Sequence, residues 1–177
     1  MKRSFELSRH RRANVWLDEA PPAAYTASYV VTKVVMPKVA INAALRIVAG
    51  VELSIPRGSS ASYALLGAEL VEADVEGLEV IVFVNEAGVP FPASLAVMPE
   101  EVRIGLLHEY ADALISGVAM AAETVGAPTK RKSRFGWAAH GLVTSSPSVF
   151  EKASGIVLRL LTLPSGGLDD QVHGLFG

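Results

Sequence analysis

The hydrophobic period of this chain first changes near Leu106, and that change limits what the chain can fold into. Before it, apolar residues alternate. In "ALRIVAGVELSIP", Ile47, Ala49, Val51, Leu53 and Ile55 take every second position, against Arg46, Val48, Gly50, Glu52 and Ser54. Period two with one apolar face predicts a half-buried strand. After it, Leu107, Tyr110, Leu114, Val118 and Ala121 recur at three and four, which predicts an amphipathic helix of about five turns. Gly126, Ala127 and Pro128 stop it.

Around this break the remaining segments sort themselves. "YVVTKVVM" at 29–36 is β-branched and ends at Pro37; "LEVIVFV" at 78–84 is a clear strand. "YALLGAELVEA" sits between strands and is read as one, after the turn chemistry of "PRGSSAS" at 56–62. "NEAGVPFPASLAVMPEEVRIG" is a long connection with three prolines. "SRFGWAAHGLVT" returns to strand, with Phe135, Trp137, Ala139 and Val143 on one side and His140 on the other.

A second helix follows. Ser146 suits an N-cap and Pro147 the first helical position, because proline has no N–H to leave unpaired. Phe150, Ala153, Val157, Leu160 and Leu161 form its stripe, and Pro164 with Gly166-Gly167 closes it. Strands, long connection, helix, strand, helix predicts an α+β two-layer sandwich, a mostly antiparallel sheet with both helices on one face. Residues 1–27 read as an irregular N-terminal arm, 28–165 as the domain, and 166–177 as an unassigned tail.

Two segments carry a family resemblance. "EYADALISGV" at 109–118 resembles the first helix of domain IV of elongation factor G and of its eukaryotic relative, elongation factor 2: Glu-Tyr, then Ala, then Gly with an aliphatic residue at the same spacings. "SSPSVFEKA" at 145–153 resembles the start of that domain's second helix. The motifs are in the family's order, separated by one strand, and the resemblance covers about 105–161. It implies the left-handed βαβ fold shared with the second domain of ribosomal protein S5. It also implies a working tip made by an early hairpin and the turn before the second helix, here "PRGSSAS" and "AHGLVTSS". The family's tip histidine falls on Gly141, with His140 its neighbour, and the glycine-rich hairpin is reduced to Gly58 beside Arg57.

The function classes narrow accordingly. The 177 residues are half hydrophobic and 19% charged, enough for a substantial core. Without cysteine there is no thiol catalysis or thiolate metal site. No GxxxxGK[ST] occurs, so no GTP is expected. No secretory signal or membrane span is visible, and a cytoplasmic protein is expected. Net charge is −2, yet Lys2, Arg3, Arg9, Arg11 and Arg12 crowd the start, and Lys130, Arg131, Lys132 and Arg134 form a second cluster. Solvated charge accounts for both clusters first, an anionic partner second. "HEYAD" lacks the second histidine of a zinc helix, so no metal is expected, nor any cofactor.

The best candidate site is His140, Thr144, Ser145 and Ser146 at the start of the second helix, with Arg57 and Gly58 on the hairpin. The expected role is a non-catalytic binding protein, with ribosome or RNA as partner. The alternative is a small enzyme using a polar site near His140 and Ser145, although no GxSxG elbow surrounds the serine. Association through an uncovered sheet face is a further expectation.

Overall fold

The computed structural model describes residues 1–96, 100–164 and 168–176. Eight strands form one sheet: β1 (Lys2–Glu6), β2 (Arg12–Leu17), β3 (Tyr29–Val35), β4 (Val48–Arg57), β5 (Ser60–Glu72), β6 (Leu78–Val84), β7 (Val102–Ile104) and β8 (Arg131–Gly141). The sheet runs β1-β2-β4-β5-β8-β6-β3, with β7 pairing β8. Strands β6 and β8 pair in parallel, and the crossover between them carries β7 and the first helix. That helix, α1 (Ala111–Thr124), follows a 3-10 turn at His108–Tyr110; α2 (Pro147–Leu161) and α3 (Leu168–Leu175) complete the order. The architecture is the α+β sandwich that the sequence predicts.

Helices α1 and α2 lie on one face. Their stripes, Tyr110, Leu114 and Val118 with Phe150, Ala153 and Val157, bury against Val51, Leu53, Leu66 and Val80 of the sheet. The Tyr110 ring stacks on Phe150 at 4.7 Å, 20° from parallel. The helices touch at Gly117, where a Cβ would run into the Glu151 carbonyl and the Ser154 hydroxyl. Glycine is required there because the obstacle is backbone.

Two expectations about the ends are corrected. Residues 2–17, read as an irregular arm, form β1 and β2, and β2 pairs with β4 from Arg12–Ser54 to Leu17–Ala49. "ANVWL" buries all five residues, a signal that the surrounding charges obscure. Most of the unassigned tail forms α3, and Phe176 just beyond it packs on Phe5 at 6.3 Å between rings. Gly166 and Gly167, expected to close α2, lie outside the described residues.

The second face of the sheet is not open. Trp16, Ala23, Tyr63, Leu65, Phe91, Val102 and Ala139 form a separate small core on it. Pro21 lies over Gly50 and Gly67, where any Cβ would meet the proline ring. Strand β4, expected to be half-buried, is therefore covered on both faces, and Glu52 is 1% exposed.

Candidate functional site

The turn from β8 into α2 and the β4–β5 hairpin lie at the same end of the sheet. Arg57 pairs with Ser60 across the hairpin, and the Tyr63 N–H reaches the Thr144 carbonyl at 3.3 Å. Gly58, at φ +60°, takes the left-handed turn position expected of it. Residues 131–134 start β8 at the opposite end, where Arg131 pairs with Glu72, and Lys130 immediately precedes them.

His140 lies on the helix-covered face, not the opposite one. Gly67 pairs with Trp137, but Glu69 pairs with Arg134, so β8 carries one extra residue, a β-bulge. Beyond a bulge the alternation inverts, and His140 comes to share the face of Phe135 and Ala138. It is 2% exposed, and its Nδ1–H donates to the Gly105 carbonyl at 2.9 Å. Its ring lies 6.3 Å from Tyr110. This histidine is built into the core.

Ser145 is also committed. Its hydroxyl donates to the Tyr63 carbonyl at 2.6 Å and accepts from the Gly141 N–H at 2.9 Å. A nucleophile needs a base to receive its proton. Here a backbone carbonyl takes it, and the side chain ties the turn to β5. Ser146 occupies the N-cap position with extended backbone, but its hydroxyl does not cap a helix N–H; it meets the Ser148 hydroxyl at 3.1 Å. The turn is held instead by the Glu100 carboxylate, which accepts from the Val143 N–H at 3.0 Å. Thr144 buries a hydroxyl that has no partner among the described residues.

The structure separates the two basic clusters. Arg134 pairs with Glu69 at 2.9 Å and Lys132 with Glu79 at 3.8 Å, across neighbouring strands. Arg131 bonds to the Lys130 carbonyl. Two of the four cations of the expected anion patch, Lys132 and Arg134, thus meet carboxylates. At the N-terminal cluster, Lys2 lies over the Trp16 ring and Arg3 pairs with Asp169. Arg9, Arg11 and Arg12 are carried by the β1–β2 turn to the same end as Arg57. On α2, Lys152 has its ammonium pKa lowered, first by burial and then by the charges of Arg11 and Arg57.

Sequence reading also misses a polar network on the second face. The buried Glu52 carboxylate accepts from Asn14 Nδ2, the Tyr63 hydroxyl and the Leu95 N–H, each at 2.8 Å. Ser4 donates to Asn14 Oδ1 at 2.7 Å. Three donors satisfy one buried carboxylate and join β2, β5 and the 85–101 connection. The signal was present as one acidic residue inside an apolar alternation, where an outward-facing position is the usual reading. Burial by the connection and the Glu52 charge and hydrogen bond push the Tyr63 phenol far above its ordinary range.

At the level of sequence, the chain matches no protein-family model and no curated protein.

Proposed function

We propose that the chain is a non-catalytic binding protein, related to a translation-factor domain, that associates with ribosomes or RNA. What carries the reading is the state of the candidate site. His140 and Ser145, the groups an enzyme would need free, are both engaged with backbone carbonyls at the end of the sheet that the resemblance assigns to partner contact. The resembling motifs also meet in space: Gly117 of the first packs on Glu151 and Ser154, within and just after the second. They therefore support the kinship through packing, and fold kinship alone does not assign a role. Surface cavities lie elsewhere: one of about 540 Å³ beside residues 6–12, one of about 510 Å³ beside residues 33–38 and one of about 360 Å³ between α1 and α2.

Ribosome co-sedimentation with a salt titration tests the reading. Phosphate contacts predict pelleting with ribosomes at about 50 mM salt and steep loss by about 200 mM. Absence from the pellet at the lower salt overturns the ribosomal form of the proposal.

A further inference from the structure

The β1–β2 turn is built from basic residues in a conformation that basic residues rarely take. Arg9 and His10 have φ of 61° and 59°, the left-handed region where glycine and asparagine are the ordinary choices. Both side chains are exposed. Glycine or asparagine takes these angles at less cost, so nothing in the turn itself calls for arginine and histidine. Non-glycine residues held at positive φ concentrate at functional sites.

The surroundings give that choice a direction. Arg9, His10, Arg11 and Arg12 line a concavity of about 540 Å³ that reaches Pro56 on the neighbouring hairpin. Beside it Arg11, Arg12 and Lys152 come together over Leu53 and Ile55. Among the described residues Arg11 bonds to neutral acceptors, the Ser8 carbonyl and hydroxyl and the Phe176 carbonyl. Arg12 donates to the Leu95 carbonyl at 2.9 Å. Among the described residues, none of Arg9, Arg11, Arg12 and Lys152 pairs with a carboxylate. Glu6 supplies the one carboxylate among the described residues lining the concavity, against three arginines.

We infer that this surface binds the phosphate backbone of RNA, an inference that rests on the binding role proposed above and names its contact site. The guanidinium fork matches phosphate oxygens two at a time, which favours arginine over lysine here. Among the described residues no Phe, Tyr or Trp lines the concavity, so its cations favour contact with the backbone over stacking of bases. Nor does an exposed long aliphatic side chain line it, as insertion into a lipid surface would require.

Fluorescence anisotropy with a labelled single-stranded RNA of about 20 nucleotides, read at several salt concentrations, tests this. Three phosphate contacts predict a slope of about −2 in log K against log salt. The Arg9→Glu/Arg12→Glu/Lys152→Glu variant is expected to lose at least about tenfold in affinity and flatten that slope, and Arg9→Gln/Arg12→Gln/Lys152→Gln to lose less. Lys132→Gln/Arg134→Gln is expected to bind within about twofold of wild type, since Glu79 and Glu69 already offset those charges. Circular dichroism establishes that each variant is folded. Wild-type binding that survives the Glu variant, or falls equally in the 132/134 variant, overturns the assignment of the site alone. No RNA binding by wild type at low salt overturns the binding role beneath it.

Discussion

The two faces of the sheet are covered by different means. On one, α1 and α2 bury a large apolar surface and meet so closely that Gly117 has no room for a side chain. On the other, a small apolar cluster is stitched to the connections by hydrogen bonds converging on Glu52. Apolar packing without polar groups supplies stability without direction, whereas a buried carboxylate fixes which donors come to it and where. The second face therefore positions segments more than it stabilises the whole. The segments it positions include β2, which leads directly out of the basic turn, and Leu95, whose carbonyl holds Arg12.

The largest effect is expected on the helix side. Gly117→Val forces the helices apart, because the obstacles are the Glu151 carbonyl and the Ser154 hydroxyl of α2. Overpacking costs about 1–3 kcal/mol where side chains can yield. Here the backbone must move, and a loss of about 4 kcal/mol is expected from urea denaturation. A variant within about 1 kcal/mol of wild type would show that the two layers are not rigidly packed.

On the second face, Glu52→Ala leaves the Tyr63 hydroxyl, Asn14 amide and Leu95 N–H without their acceptor. Unsatisfied buried donors cost about 1–3 kcal/mol each, partly relieved by water entering the new space. A net loss of about 3 kcal/mol is expected. The distinguishing readout is hydrogen exchange: amides of residues 91–96 and 12–17 should lose protection while α1 and α2 keep theirs. Uniform loss across both faces would erase the distinction drawn between them.

How far these faces were legible in the sequence follows from the same physics. The helix side was readable because 3.6-residue stripes declare a buried face locally, and α2 begins at Pro147 as its proline predicts. The second face depends on distant pairings. Nothing local to Pro21 says that it covers Gly50 and Gly67, and nothing local to Phe91 says that it joins Trp16. Strict alternation puts His140 on the wrong face because it cannot register the one-residue bulge between Arg134 and Trp137. Of the candidate site, the shared end of the sheet and the turn glycine at 58 were legible. The engagement of His140 and Ser145 with backbone carbonyls was not, since each bond reaches across more than 30 residues. The two basic clusters looked alike in sequence, and only cross-strand register revealed which one meets Glu69 and Glu79.

The smallest effect, and the finest probe of the second face, is Tyr63→Phe. It removes one hydrogen bond to Glu52 and keeps the ring, so about 1.5 kcal/mol should be lost at neutral pH. Its pH dependence separates this bond from packing. In the fold, burial first and then the Glu52 charge and hydrogen bond raise the Tyr63 phenol above its ordinary value of 10.0. The neutral phenol is therefore favoured in the folded state. Its contribution is fully present below pH 10 and is lost above it, because the unfolded chain releases that proton and the folded chain does not. Tyr25, raised by burial, and Tyr110, raised by burial and then Glu109, follow the same sign in both proteins. Above pH 10 the wild-type stability should thus fall more steeply than that of Tyr63→Phe, by about 1.4 kcal/mol per pH unit for the one group removed. Urea midpoints at pH 9, 10 and 11 measure the two slopes. Equal slopes would mean that the Tyr63 hydroxyl is open to water and that the second face is a loose cover, with no fixed hold on the strand that leads out of the basic turn.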